Sequence, residues 1–386
     1  MKILLISVFL CLILTSSTAG ASMDQENAMQ QITEQLSLEE INSFVNQINR
    51  ELNEELPGFQ MVTIHDLVEK GLNVDWSQIG NILVSVFFKE IAAHLHLCGK
   101  LLFLAVLCAL LQNLQNSFER SNISLLAYSV CFCFLAVIAL TAIYNVLEMA
   151  RQTVGTMVSF MQALLPILIS LLAGVGAVTS AALLTPLMLF LISMVSIIVK
   201  DVVLPLLFLT TALECVNYLS STYQLSNLTT VLKQGGIIVL SLSLVVFIGV
   251  ITIQGVSGSV SDGITLRTAK YATATFIPVV GKMFADTVEL VMGASLLLKN
   301  AVGIFGVLAI LMICVWPLLK IFSLIVIIKL TGALIQPMGD EKMAKCLDLM
   351  GNNLLLVFGG VLTAALMFFL AITMIIGVGN VTMMLR

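Results

Sequence analysis

The sequence contains very little charge. Only 10% of its 386 residues are Asp, Glu, Lys or Arg, whereas a soluble globular protein has about 25%. Residues 152–199 include no charged residue or histidine, and the same is true of residues 349–385. A membrane-spanning helix needs about 20 consecutive apolar residues. The scarcity of charge therefore excludes a soluble globular protein and predicts an all-α, polytopic helical membrane protein.

Residue patterns that support catalysis are also missing. The chain has three histidines, and the two that lie close together, His94 and His96, are two positions apart and face different sides of a helix. There is no glycine-rich loop of the kind that cradles phosphate. Eight cysteines are present without a C-x-x-C pair, and cysteines in apolar segments usually pack as small hydrophobic residues. The sequence therefore indicates no enzyme, no cofactor and no metal site.

The first 21 residues have the layout of a secretory signal peptide. Lys2 precedes an apolar run at 3–14, and Ala19-Gly20-Ala21 forms a small-x-small cleavage site. An uncleaved first helix is the alternative, although twelve apolar residues are short for a span. Cleavage would leave the mature N-terminus outside the cytoplasm.

Residues 22–78 form an acidic segment, with eleven acidic residues against Arg50 and Lys70. Ser37-Leu38-Glu39-Glu40 has the pattern of a capping box, in which Ser37 and Glu40 satisfy backbone donors at the start of a helix. Apolar residues then recur at helical spacing until Pro57-Gly58. We expect a small extracytoplasmic helical segment whose apolar stripe packs either on itself or on a partner.

Apolar runs of span length follow an amphipathic stretch at 79–96, which we predict to lie along the membrane interface. Two runs are doubtful, since 202–219 contains Glu214 and 321–337 contains Lys329. The sequence thus predicts about seven to nine transmembrane or re-entrant helices in a membrane domain covering 97–386. The clear runs are 97–115, 123–147, 154–178, 181–199, 235–253, 301–319 and 352–378.

The orientation of the chain depends on the two doubtful runs. If 321–337 crosses the membrane while 202–219 dips in and returns, the basic residues of 254–300 lie in the cytoplasm. The reverse choice places them outside. Basic residues in short loops favour the cytoplasmic side, so the first arrangement is preferred.

Three charged residues lie inside or beside apolar runs and are candidate functional residues, because a lone charge in lipid is costly. Asp201 could instead mark a helix boundary together with Lys200. Glu214 lies either at membrane depth with a partner or in a re-entrant segment. Lys329 could extend its ammonium group to the interface. Near them, Glu148 and Arg151 are three positions apart and are expected to pair on a helix surface.

A polar insert at 255–300 interrupts the apolar chain. Gly255-Val256-Ser257-Gly258 is expected to form a hinge, followed by a polar helix that carries Asp262, Arg267 and Lys270 and ends near Pro278. Such an insert could be an ordinary amphipathic connector. Alternatively, it could line or gate a passage, or dock another protein through Arg267 and Lys270.

Three stretches resemble the stage III sporulation protein AE family of endospore-forming bacteria. They are GSVSDGITLRTAKYATATFIPVVGKMFADTVE with ASLLLKN after it, LLQNLQNSFERS at 110–121, and GNVTMMLR at 379–386. The similarity covers the chain from about residue 97 to its end. The signal peptide and acidic segment match the family in layout more than in sequence.

The resemblance implies a multi-pass protein of the mother-cell membrane, which becomes the outer forespore membrane. Its expected partners are the other stage III sporulation A-operon proteins and, through the complex, stage II sporulation protein Q. Together they would form a channel-like, secretion-related complex needed for late forespore gene expression. Within it, this chain could act as a conduit or as an assembly platform, and copies of the chain could associate with one another. A solute transporter unrelated to sporulation is the alternative if the resemblance misleads.

Overall fold

A computed structural model describes residues 76–117, 122–219, 225–276, 280–338 and 340–384. The predicted signal peptide and nearly all of the acidic segment 22–78 lie outside the described residues. Within these ranges almost every residue is helical, and the bundle contains seven α-helices. They are α1 (Trp76–Ser117), α2 (Asn122–Gly174), α3 (Val178–Ser196), α4 (Leu204–Leu219), α5 (Ser226–Phe276), α6 (Val280–Ile335) and α7 (Glu341–Met384).

Six helical stretches among the described residues are long and apolar enough to cross a membrane, which confirms the predicted all-α, polytopic class. The predicted number of seven to nine is approximate because neighbouring runs merge. The runs 123–147 and 154–178 both belong to α2, while 301–319 and 321–337 both belong to α6. Similarly, 202–219 continues α3 in the same direction and makes no turn of its own. At about 1.5 Å per residue, α2 and α6 are each roughly 80 Å long.

A π-helical segment, Ile197–Val203, joins α3 to α4 without interrupting the helical path. The buried residues around it, Val195, Val199, Val203 and Leu207, are spaced four apart. A regular α-helix has 3.6 residues per turn, so a spacing of four drifts by about 40° at each step. The wider π-helical turns absorb this drift. As a result, one continuous apolar stripe faces the core from α3 to α4.

The α6–α7 hairpin forms the centre of the bundle, and α2 packs along both of its helices. On one flank α1 packs against α2 and α6, while on another α4 and α5 pack against α7. Large apolar side chains, among them Phe132, Phe160, Phe305 and Phe368, fill the core and are almost fully buried.

Small residues allow the central helices to approach closely at Gly303 and Gly306. A Cβ at Gly303 would overlap Ile376, and one at Gly306 would overlap Leu164. Gly176 has a different role, since its φ of 94° forms the turn between α2 and α3. Such positive φ values favour glycine.

The expected hinge at residues 255–258 is not present. Instead, α5 continues through Gly255 and Gly258 without interruption as far as Phe276. The polar part of the insert is therefore the C-terminal extension of an apolar helix. The expected break near Pro278 falls on residues 277–279, which lie outside the described residues.

Candidate functional site

Asp262 caps a helix that is distant in sequence. Its carboxylate accepts hydrogen bonds from the backbone N–H groups of Thr179, at 2.9 Å, and Ser180, at 3.0 Å. These donors belong to the first turn of α3, where backbone N–H groups have no partner within the helix. The helix dipole also favours a negative charge at this end. Asp262 is only 1% exposed, so its carboxylate fixes α5 against the start of α3.

Lys299 is fully buried between α6 and α7. Its ammonium group donates to the backbone carbonyl of Ile376 at 2.8 Å and to Asn380 Oδ1 at 3.4 Å. A Cβ at Gly379 would overlap the Lys299 ammonium group, so the glycine leaves space for it. In the described part of the chain no carboxylate contacts Lys299. A buried cation held only by neutral oxygens is an unusual and costly arrangement.

Glu214 is buried in contact with α7. Asn353 Nδ2 donates to its Oε2 at 2.6 Å and also to Thr211 Oγ1 at 3.0 Å. Glu214 therefore has a polar partner, and its helix α4 makes no re-entrant turn within the described residues. Asn353 Oδ1 is buried and accepts no hydrogen bond within the residues that the structure describes.

Lys329, on α6, also pairs with α7, at a position nearer to the α6–α7 turn than Asn353. Its Nζ lies 3.0 Å from Asp348 Oδ1 and 2.8 Å from Asn352 Oδ1. The aliphatic part of its side chain lies against Gly351. About a third of the Lys329 side chain is exposed, so this lysine belongs to a helix–helix contact at the surface of the hairpin.

Asp201 joins two helices through an ion pair. Its Oδ1 lies 3.0 Å from an Arg151 nitrogen, and both side chains are half exposed. The sequence predicted that Arg151 pairs with Glu148. In the structure Arg151 pairs with Asp201 instead. Asp201 does not mark a helix boundary either, because it lies inside the π-helical segment.

The remaining two predicted site residues, Arg267 and Lys270, lie on α5 beyond Asp262. Their side chains fall outside the described part. Of the four predicted site residues whose side chains the structure describes, no two are in contact: Asp262 is at one end of the bundle, while Glu214 and Lys329 lie towards the α6–α7 turn. Among the described residues, no group of three or more His, Cys, Asp or Glu side chains could hold a metal ion.

Sequence reasoning missed Lys299, Asn353 and Gly379. Lys299 could have been noticed, since it directly precedes a charge-free run of span length at 300–319. Asn353 gave no signal of its own, because it lies within a charge-free run and acquires meaning only from Glu214 packed against it. Gly379 begins the C-terminal stretch GNVTMMLR, but its role depends on Lys299, which is distant in the sequence.

Comparison with known proteins identifies the family. A model of the family described as stage III sporulation protein AE matches residues 60–379. The stage III sporulation protein AE of Bacillus subtilis (strain 168) is 37% identical over 375 residues, which cover 96% of this chain and 94% of that protein. The chain belongs to the stage III sporulation protein AE family. No solved structure matches it.

This result confirms that the sequence resembles the stage III sporulation protein AE family. Stretches that carry this resemblance supply two of the most deeply buried charged residues in the described part of the bundle: Asp262 lies in the long stretch of the insert, and Lys299 in ASLLLKN. Lys299 contacts Asn380, which lies in the C-terminal stretch GNVTMMLR. In this member of the sporulation family, two distant stretches therefore meet at one end of the bundle.

Proposed function

We infer that this chain is a membrane subunit of a channel-like complex that joins the mother cell and the forespore. Family membership supports a role in sporulation, and six apolar helical stretches support a multi-pass membrane protein. We place the chain in the mother-cell membrane, with its acidic N-terminal segment on the extracytoplasmic side. Its partners there are the other stage III A-operon proteins and stage II sporulation protein Q, and the complex sustains late forespore gene expression.

Within this complex the chain acts as an assembly platform and not as a pore through its own bundle. The observation that carries this proposal is the packing of the described helices. Their centre is filled by apolar side chains, and the buried charges Asp262, Glu214 and Lys299 are each bonded to protein groups. A solute passage needs a polar or water-filled wall. We therefore expect any conduit to lie between subunits.

The C-terminal part of α5 is the docking element of this platform. Because Asp262 contacts the first turn of α3, the residues of α5 after Asp262 extend beyond the N-terminal end of α3. Fourteen residues remain to Phe276, or about 20 Å of helix. Arg267 and Lys270 lie on this extension, about one turn apart, and we propose them as the docking contacts.

Changing Arg267 and Lys270 together to alanine should reduce heat-resistant spores to the level of a deletion strain, because the docking contacts are lost. Protein level and membrane insertion should stay normal if the two residues act only in docking. The matched control is Lys342→Ala with Lys345→Ala, also three positions apart but on α7 at the opposite end of the bundle. Normal sporulation in the Arg267/Lys270 double variant would reduce the insert to a connector.

Glu214→Gln separates platform from conduit. The glutamine can accept from Asn353 Nδ2 as Glu214 does, and its amide can donate to Asn353 Oδ1, which is otherwise unsatisfied. A platform should therefore sporulate at the parental frequency with this variant. Complexes that assemble normally but no longer pass a small solute would instead assign the conduit role to this chain.

A clean deletion tests the proposed function as a whole. Normal growth, completed engulfment and then a collapsing forespore without late reporter expression are the expected phenotype, followed by microscopy. Normal spores would contradict the proposal and would favour a solute transporter unrelated to sporulation.

A further inference from the structure

Two buried cysteines from different helices lie in direct contact. The sulfur of Cys346, on α7, lies 3.7 Å from the sulfur of Cys215, on α4, although 131 positions separate the two residues in the sequence. Cys215 is 4% exposed and Cys346 is 1% exposed. Cysteines in apolar segments usually pack as small hydrophobic residues. Two thiols that touch across a helix contact have a further property, since a covalent bond can join them.

The two cysteines belong to the helix contact that also holds Glu214. Thr211 and Cys215 are four positions apart on α4 and share one face of it. Cys346 and Asn353 are seven positions apart on α7 and also share a face. Asn353 donates hydrogen bonds to Thr211 and Glu214. The contact between α4 and α7 therefore has two levels, with the Asn353 amide at one level and the thiol pair at the other.

The distance between the two sulfur atoms is short enough for a disulfide to form. Bonded sulfur atoms are about 2.05 Å apart, so the two atoms must approach each other by roughly 1.7 Å from the 3.7 Å of the structure. Rotation about the Cα–Cβ bond of either cysteine changes the position of its sulfur by distances of this order. The contact thus places the two thiols within reach of a disulfide between α4 and α7.

Cys314 shows how a buried cysteine without this arrangement is held. It is 2% exposed, and its sulfur donates to the backbone carbonyl of Leu311, in its own helix α6, at 3.3 Å. Its burial therefore equals that of the pair, while its thiol is bonded within one helix. Cys314 is the matched control for the reactivity of Cys215 and Cys346.

We propose that Cys215 and Cys346 form an oxidisable dithiol, which a small neutral peroxide converts into a disulfide between α4 and α7. The proposal does not depend on the role in sporulation. It assigns a covalent modification site to a helix contact that otherwise depends on the Asn353 amide. The attachment of α4 to α7 then responds to oxidants.

Hydrogen peroxide balances the reaction without any further reactant. One thiol attacks the O–O bond of the peroxide, which breaks, and this cysteine becomes a sulfenic acid while one water leaves. The second thiol then attacks the sulfenic sulfur, the S–O bond breaks, and a second water leaves with the thiol proton. In total, two electrons pass from the two sulfur atoms to the peroxide, and one S–S bond forms.

Burial decides which oxidant acts on the pair. Thiols buried in apolar surroundings react slowly, and a protein disulfide is too large to reach side chains that are 4% and 1% exposed. A peroxide is small and uncharged, so neither its size nor its charge keeps it out. Because the second thiol lies 3.7 Å away, it reacts with the sulfenic acid before further oxidation, as a resolving cysteine does.

The first experiment identifies the disulfide by mass spectrometry in membranes that contain the full chain. After treatment with hydrogen peroxide, free thiols are blocked with N-ethylmaleimide in detergent, and the protein is digested without reductant. A linked pair of peptides that contain Cys215 and Cys346 should appear in most copies, and dithiothreitol should remove it. Cys314 should appear in no linked peptide.

Cys346→Ala removes the resolving thiol and should change the product at Cys215. The sulfenic acid of Cys215 then has no thiol beside it, so dimedone should trap it in this variant and not in the parent chain. Cys314→Ala is the matched control and should leave the Cys215–Cys346 linked peptide unchanged. Circular dichroism on both variants checks that the helices remain folded.

The second experiment measures the consequence for the fold with the purified full chain. A disulfide that joins residues 131 positions apart restricts the unfolded chain. The oxidised protein should therefore unfold at a temperature at least about 3 °C above that of the reduced protein. This difference should disappear in Cys346→Ala, which cannot form the bond.

Absence of the linked peptide at a peroxide dose that oxidises the exposed Cys133 would overturn the proposal. A linked peptide that contains Cys314 in equal amount would overturn it too, because the contact would then not select the pair. An unchanged unfolding temperature after oxidation would show that the bond does not fasten α4 to α7. A selective Cys215–Cys346 bond, dimedone labelling in Cys346→Ala and a higher unfolding temperature would together establish the dithiol.

Discussion

Asp262→Ala should prevent stable accumulation of the protein in the membrane and therefore abolish sporulation. The substitution leaves the half-buried N–H group of Thr179 and the buried N–H group of Ser180, at the start of α3, without an acceptor. Hydrogen bonds to a charged group contribute roughly 1.5–3 kcal/mol each, so the expected loss of stability is about 3 kcal/mol or more. Quantitative immunoblotting of membrane fractions, together with thermal unfolding of any purified protein, measures the effect.

Two controls define the cause of this loss. Asp262→Asn keeps one acceptor oxygen and should lose less stability than Asp262→Ala, because one of the two N–H groups stays bonded. Asp348→Ala removes a carboxylate that is 60% exposed, and exposed ion pairs contribute little. Equal losses for Asp262→Ala and Asp348→Ala would show that the contact with α3 does not stabilise the fold.

Lys299→Glu should destabilise the bundle at least as strongly. The new carboxylate would face the Ile376 carbonyl and Asn380 Oδ1, which are both acceptors, in a position that has no exposure. Leaving a buried charge without a compensating partner costs about 3–5 kcal/mol. We expect the protein to be lost from the membrane fraction, as assayed by the same blots.

Lys299→Met distinguishes a structural role of the lysine from a functional one. Methionine has a similar length and carries no charge, so stability should be unchanged or higher, since replacing buried charges by apolar groups is often stabilising. If this stable variant fails to sporulate, the ammonium group itself has a function at this end of the bundle. If Lys299→Met unfolds while Lys299→Glu does not, our account of the site is wrong.

The class of this protein follows from its sequence because membrane insertion depends on average properties of long segments. A run such as 152–199 cannot be solvated whatever its neighbours are. The lengths of individual helices could not be predicted in the same way. We interpreted Glu148, Arg151, Lys200 and Asp201 as ends of spans. In the structure the helices continue through these positions, because Arg151 and Asp201 neutralise each other across two helices.

The polar contacts of the site depend on pairs of residues far apart in the chain. Glu214 and Lys329 stood out from their apolar surroundings, but their partners Asn353 and Asp348 are set by the antiparallel packing of α7 against α4 and α6. In the polar insert at 255–300, by contrast, the sequence suggested a feature that the structure does not contain. Its glycines suggested a hinge, yet helix formation continues through Gly255 because this part of α5 packs against Met374 of α7.

The π-helical segment makes the buried face of α4 depend on where the chain changes in length and not only on residue type. Its wider turns hold one residue more than an α-helix would for about the same rotation, so deleting one residue between Ile197 and Val203 would restore a regular helix and leave the buried face of α4 nearly in place. Deleting one residue of α4 between Leu204 and Glu214 would instead rotate everything downstream by about 100°, and Glu214 would then point away from Asn353. A single-residue difference in length would therefore break the Glu214–Asn353 contact when it falls in α4 but not when it falls in the π-helical segment, even where an alignment shows both residues.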